Sequence, residues 1–173
     1  MLKQETNEGL NDQLQLEFAS AYQYLGMAAH FAAASLPGFA HWMRLQYEEE
    51  ELHALKFFDY ITQRGGRVAL QSIQAPEAEY GSPLEVFERS LEHERLVTER
   101  IHALYARAQD ARDYPTQTFL QWFVTEQVEE ESTVQEIVDR LRLAGGNSTA
   151  LLFLDRELAS RSAAPSGAPG GQA

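Results

Sequence analysis

Apolar side chains return every three or four residues along most of this chain, the period of one face of an α-helix. From about Asn7 to Ala34 the stripe is Leu10, Leu14, Phe18, Ala21, Leu25 and Ala28, and Pro37-Gly38 reads as its break. A second stripe, Phe39, Met43, Phe57 and Ile61, begins near Phe39 and stops at Gly65-Gly66, where glycine supplies the left-handed residue that closes a helix. Residues 67–81 follow neither the helical nor the strand period. So long a connection inside a helical protein needs a reason, and an overhand crossover along the bundle, starting the next helix parallel to the last, supplies one. Ser82-Pro83-Leu84-Glu85 then combines an N-cap, a proline at the first helical position and a capping-box glutamate. The third helix carries Leu84, Phe87, Leu91 and Ile101 inward. Asp113 and Pro115 punctuate the start of a fourth, with Phe123, Val134, Ile137 and Leu141 inward and Gly145-Gly146 at its end. Asn147 or Ser148 caps a short fifth helix, Leu151 to Ser160. The expected fold class is all-α, a four-helix bundle with a long crossover between helices two and three and a short fifth C-terminal helix, over residues 1–161. Residues 162–173 contain only Ser, Ala, Pro, Gly and Gln; with nothing to bury, this tail is expected to be disordered.

Acids interrupt the stripes. Stepping on from Leu14 reaches Glu17 and then Ala21; from Met43 the steps pass Gln46 or Tyr47 to Glu50, His53 and Phe57. From Leu91 they reach Glu94, and from Phe123 they reach Gln127, Glu130 and Val134. Four glutamates thus stand where the core should be, although Glu48–Glu51 and Glu129–Glu131 look at first like solvated charge runs. The positions also repeat. Glu17 precedes Glu50 by thirty-three residues and Glu94 precedes Gln127 by thirty-three, and a ligand type stands three further on, His53 and Glu130. One carboxylate from each of two helices, with an i, i+3 pair from each of the other two, is how a four-helix bundle holds two metals. Residues three apart share a helix face, so both members of a pair reach one ion.

An unpaired buried carboxylate costs on the order of several kcal/mol, and these stripes carry few basic residues. Either the groups are protonated or a cation compensates them. Oxygen-rich ligation with a single imidazole favours a hard ion with access to a trivalent state, iron first and then manganese. His30, His41, His93 and His102 lack the spacing and read as structural. Tyr24, two turns beyond Glu17, is positioned to hydrogen-bond a ligand carboxylate or to pack, and Trp122 reads as a packing residue.

With 173 residues and a 44% apolar fraction, the chain suffices for one domain with a full core. Its net charge of −12 disfavours nucleic acid or an anionic membrane as partner. The absence of cysteine excludes disulfides, zinc ribbons and thiolate iron–sulfur sites. Met-Leu-Lys-Gln-Glu-Thr at the start lacks an apolar signal core, and no stretch has transmembrane length, so a cytoplasmic location is expected.

Glu17, Glu50-x-x-His53, Glu94 and Gln127-x-x-Glu130, spread over four helices with a crossover, resemble the bacterial non-haem ferritins over roughly residues 5–160. The run from Trp122 through Phe123, Val124, Thr125, Glu126, Gln127, Val128, Glu129 and Glu130 to Glu131 closely resembles that family's fourth helix. The resemblance implies a ferritin-like bundle whose ferroxidase centre holds one iron at Glu17, Glu50 and His53. A second iron would lie at Glu94, Glu130 and a bridging Glu50, with Gln127 where a histidine would complete the symmetry. It further implies a third iron site at Glu49, Glu126 and Glu129, and a homo-oligomeric shell of twenty-four subunits. Ferrous iron, oxidised in pairs by dioxygen or peroxide, would be stored there as ferric mineral. The fifth helix resembles one that lines the shell's fourfold axis; Leu151, Leu152, Phe153 and Leu158 are too apolar to stand exposed and are expected to pack against other copies. Bacterioferritins carry a haem-binding methionine just before the second-helix histidine; Leu52 stands there in this chain, so no haem is expected. Rubrerythrins need a cysteine-rich module, and DNA-protecting mini-ferritins usually lack the fifth helix. The alternatives are a di-iron oxidase or peroxidase of the same bundle class that stores nothing, and a purely structural acidic bundle.

Overall fold

A computed structural model describes residues 2–162. Five helices follow in order: α1 Gln4–Ala33, α2 Pro37–Gln63, α3 Pro83–Asp110, α4 Tyr114–Ala144 and α5 Ser148–Leu158. The four long helices form the expected bundle, α1 packing along α2, α3 along α4, and α1 against α3. The Ser/Ala/Pro/Gly tail lies outside the described residues, Ser162 excepted.

The crossover is strapped to α1. Near one end of that helix Asn11 Nδ2 donates to Arg67 O at 3.0 Å, while Ala69 N donates to Asn11 Oδ1 at 2.7 Å. Near the other end His30 Nε2 donates to Gly81 O at 2.9 Å. Nineteen residues separate these anchors, about 28 Å at 1.5 Å per residue, so the strap traverses the bundle as expected and leaves α3 parallel to α2. It closes over Gly26, where a Cβ would meet Tyr80 Oη at 2.6 Å and Pro76 Cβ at 2.8 Å. At its end Ser82 and Glu85 form the expected capping box.

The core is in two pieces. One joins Met27, Phe31, Phe39, Trp42, Met43, Phe87, Leu91, Val134 and Ile137. The other joins Leu10, Leu14, Phe57, Ile61, Ile101, Leu104, Leu120 and Phe123. Between them lies a belt of buried polar groups, Glu17, Ser20, Gln46, Glu50, His53, Glu94, Gln127 and Glu130. Most of the predicted stripes point inward. Leu25 does not: it is exposed on the outer face of α1, because the helix drifts about 20° per seven residues away from a fixed heptad spacing, while Tyr24 turns inward in its place.

The start of α2 departs from expectation. Pro37-Gly38 does not stand outside the helix but opens it, since a proline at the first helical position gives up an N–H that would have no intrahelical partner anyway. Leu36 provides no side-chain cap. The cap comes instead from α5: Asp155 Oδ1 accepts from Gly38 N at 2.8 Å and Phe39 N at 3.0 Å. A Cβ at residue 38 would stand 1.6 Å from Asp155 O, so only glycine admits α5 this closely. The fifth helix also begins earlier than expected, at Ser148, with Asn147 accepting from Ala150 N at 3.0 Å. Leu158, expected to face other copies, is buried with Leu154 against the chain's own bundle, whereas Leu152 and Phe153 remain 56% and 69% exposed.

Asp155→Ala should leave the two α2 amides buried without an acceptor and lower stability by about 1–2 kcal/mol. Asp155→Asn, which keeps the acceptor, should retain most of the difference. Melting temperatures of the three proteins decide it; an alanine variant as heat-stable as the parent would remove the cap from any energetic role.

Candidate metal centre

Why ligands so far apart in sequence come together follows from the two hairpins. Residue 17 lies sixteen positions before the end of α1 and residue 50 thirteen after the start of α2, and residues 94 and 127 stand at the same two offsets from the α3–α4 turn. In each hairpin the two members therefore stand within about one helical turn of the same level, about 20–24 Å from the turn. The crossover puts the two turns at opposite ends of a bundle roughly 40 Å long, so both levels fall at its waist. All six residues expected there, Glu17, Glu50, His53, Glu94, Gln127 and Glu130, are buried.

Ligand atoms of Glu17, Glu50 and His53 all lie within 4.8 Å of one another. Metal–ligand bonds of about 2 Å put donors around one ion up to about 4 Å apart, so a small contraction closes this group on a cation. His53 Nδ1 stands 3.5 Å from Glu50 Oε2. Glu17 Oε1 accepts from Gln13 Nε2 at 2.8 Å. The remaining oxygens, Glu17 Oε2 and Glu50 Oε2, are buried and receive no N–H from the protein, leaving these two carboxyls to share a proton with each other. Two such oxygens beside an imidazole fit a hard cation.

A second group unites His53, Glu126 and Glu130, again within 4.8 Å. Glu130 Oε2 accepts from Gln46 Nε2 at 3.0 Å. Glu94 joins neither group. Its Oε1 accepts from the Tyr24 hydroxyl, and its Oε2 accepts from Gln127 Nε2 at 3.3 Å. Gln127 Nε2 also lies 3.2 Å from Glu94 O and 3.3 Å from Thr98 Oγ1; its amide nitrogen thus faces Glu94 as a donor. Glu94 remains close enough to raise the carboxyls of Glu50 and Glu130 electrostatically.

Burial and mutual repulsion raise the pKa of the acids of this belt. Burial first, then the neighbouring Glu50, pushes Glu17 from the ordinary 4.5 up to about 8. Burial, then Glu94, pushes Glu130 to about 8, His53 pulling the other way. Burial lifts Glu94 to about 7 against the hydrogen bonds from Tyr24 and Gln127. Glu50 is driven well above the usual range by burial and then by Glu94 and Glu130. Without a cation, the belt holds its acids as neutral carboxyls over much of the range in which free glutamate is ionised.

Of the three residues expected at a further iron site, Glu126 is half-buried beside His53 and Glu130, Glu129 is exposed, and Glu49 is mostly buried. Glu49 Oε2 accepts from Arg161 Nη2 at 2.8 Å. Trp122 packs edge-on to His53, with centroids 5.4 Å apart, and carries Lys56 Nζ 4.3 Å above its ring. The other histidines serve the frame: His30 fastens the crossover, His93 Nε2 lies 2.6 Å from Ser20 Oγ, and His41 Nε2 donates to Arg161 O at 2.9 Å. His102 is exposed.

Sequence reading missed the amides. Gln13 and Gln46 each stand four residues before a core glutamate, Glu17 and Glu50, and both are buried; that shared offset was the available signal. Arg161 had none, because its partner Glu49 is 112 positions away.

A Ferritin-like domain model matches residues 7–144. The chain is 42% identical over 162 residues to the bacterial non-heme ferritin of Staphylococcus epidermidis, covering 94% of this chain and 98% of that one. With the bacterial non-heme ferritin of Escherichia coli O157:H7 it shares 40% over 160 residues, 92% of this chain and 97% of the other. An open pore ferritin from the hyperthermophilic archaeon Archaeoglobus fulgidus superposes with a TM-score of 0.92 at 48% identity, over 94% of this chain and all of that one. A buried belt of carboxyls and imidazole on this bundle, with such agreement along nearly the whole length, places the chain in the ferritin-like family, among the bacterial non-haem ferritins.

Proposed function

We propose that this chain stores iron as a ferroxidase subunit. It takes up ferrous ions at its waist, oxidises them in pairs and passes the ferric product to a cavity enclosed by many copies. The carrying observation is the convergent group Glu17–Glu50–His53, two of whose buried carboxyl oxygens receive no N–H donor from the protein. A second ion would take Glu130 with Glu50, and Glu94 once it leaves Tyr24 and Gln127. Gln127 is the weakest donor of the set, being a neutral amide. Glu49, Glu126 and Glu129 would receive a third ion, Glu126 already converging with His53 and Glu130.

Two ferrous ions each surrender one electron. Dioxygen takes both, with two protons, and leaves as hydrogen peroxide; hydrogen peroxide in its place takes two electrons and two protons and leaves as two waters. The belt supplies protons, because acids held neutral by burial must ionise before they can bind a cation, and binding releases what they carry. The polar belt lies between two apolar clusters, which keep bulk water from competing for the ions. Leu52 offers no sulfur to a haem iron. No helix among the described residues is long and apolar enough to cross a membrane, which accords with a cytoplasmic shell. The resemblance to bacterial non-haem ferritins implies twenty-four subunits, so the assembled particle should have twenty-four times the 19.5 kDa subunit mass.

The tests follow from the belt. Zinc, which is redox-inert, should fill the Glu17–Glu50–His53 position first in metal-free crystals, because that group is already assembled while the second position requires Glu94 to rotate. Removing one ligand commonly costs ~10–100-fold in affinity, so His53→Ala should abolish the preference, and Tyr24→Phe, which frees Glu94, should narrow it. Equal occupancy of both positions in the unmodified protein at limiting zinc would refute the ordering.

Metal-free protein should also lose stability as pH rises. Glu17, Glu94 and Glu130 have folded-state values raised from 4.5 to about 8, 7 and 8. The native state therefore binds more protons than the unfolded one between those limits. Its contribution is whole below about 4.5 and is lost as pH climbs through 7 and 8. Melting temperature followed from pH 5 to pH 9 should fall without metal, and saturating zinc should flatten or reverse the slope. A metal-free melting point that rises across this window would show that the acids are ionised in the folded protein.

A further inference from the structure

The segment leaving α5 returns along α2. Asp155 caps the start of α2 at Gly38 and Phe39, and six residues later Arg161 lies over the same helix further on. Its backbone carbonyl accepts from His41 Nε2 at 2.9 Å, its guanidinium stands 4.8 Å from the centre of the Trp42 ring, and Nη2 donates to Glu49 Oε2 at 2.8 Å. Both charged side chains are largely withdrawn from water, 23% and 13% exposed, so salt screens the pair less than a surface ion pair. Glu49 immediately precedes Glu50, and its charge reaches Glu50, Glu126 and Glu130. A cation that binds Glu49 through Oε2 must take the place the guanidinium now holds.

We propose that Arg161 is a tethered counter-cation of the third iron position, a positioning residue that holds Glu49 while the position is empty and must be displaced for an ion to bind there. This rests on the ferroxidase reading above. Its effect is to weaken retention at one position only. An ion leaving the waist meets a ligand already neutralised, stays briefly and moves on, and the guanidinium closes behind it. The tether is short, because stacking on Trp42 and the bond from His41 keep the side chain beside Glu49 when it is displaced. Arginine suits the role because it remains charged at every physiological pH and stacks on an aromatic face, neither of which a neutral donor does.

A hydrogen bond to a charged group contributes roughly 1.5–3 kcal/mol, so removing the competitor should tighten the Glu49 position about tenfold or more. The experiment is a graded zinc soak of metal-free crystals, with occupancy at each position read from anomalous scattering, for the parent, Arg161→Gln, Arg161→Lys and the Glu49→Gln/Arg161→Gln double variant. In the Gln variant the position bounded by Glu49 and Glu126 should half-fill at about a tenth of the parent's zinc concentration, while the Glu17–Glu50–His53 position fills as before. The Lys variant, which keeps the charge, should restore most of the competition, and the double variant should lose the gain. In zinc-loaded parent crystals the guanidinium should have left Glu49. A clasp that only docks the chain's end onto α2 would instead lower the melting temperature of the Gln variant and leave both zinc curves unmoved, which overturns the proposal. So would zinc at Glu49 with the 2.8 Å contact intact. Absence of zinc from the Glu17–Glu50–His53 position in every protein would overturn the ferroxidase reading itself, and the role of Arg161 with it.

Discussion

Four carboxyl groups held out of water at the middle of a helical bundle set the terms for the rest of this molecule. Withdrawing one such charge from water costs several kcal/mol even after the surroundings relax, and here they crowd one another as well. The protein meets part of that cost by keeping protons on the acids and part by aiming donors at them: Gln13 at Glu17, Gln46 at Glu130, Tyr24 and Gln127 at Glu94. It aims no N–H donor at Glu17 Oε2 or Glu50 Oε2. A fully satisfied belt would be a more comfortable core and a poorer host for cations.

The donors divide the belt into a ready part and a held part. Glu17, Glu50 and His53 already converge, with the imidazole fixed between Trp122 and Phe123 at ring separations of 5.4 and 5.8 Å. Glu94 is turned aside by a phenol and an amide, both of which must be exchanged for an ion. The same logic recurs at the edge of the belt, where Arg161 covers Glu49. Ions entering this bundle would therefore meet positions of graded readiness, set by hydrogen bonds rather than by ligand type alone.

Much of this was legible in the chain itself, for a physical reason. Helical period is a local property, and the equal spacing of Glu17–Glu50 and Glu94–Gln127 arises because the two hairpins place their ligands at the same offsets from their turns, a repeat that is written in residue numbers. The crossover was legible as a stretch with no period bounded by a capping box. What escaped notice was contact across elements. The opening of α2 at Pro37 depends on Asp155, more than a hundred residues later, and no local pattern announces a cap borrowed from another helix. Leu158 was read as outward because apolarity alone does not say which neighbour covers a side chain. Glu126 was assigned to a further site by resemblance, whereas its carboxylate also converges with His53 and Glu130, a fact of side-chain direction that numbering does not carry. The turning aside of Glu94 was half legible, since Tyr24 stands two turns from Glu17, but the choice of Glu94 as its partner required the neighbouring helix.

The polar belt also partitions the chain's freedom to vary. Phe39 and Phe57 sit in different apolar clusters on one helix, eighteen residues and about 27 Å apart, with Glu50 and His53 between them. Perturbations that far apart with no shared partners add independently, so each end of the bundle can be repacked without consulting the other. A lineage carrying this fold explores two small cores in parallel rather than one large one, and an error in either is confined to its own half.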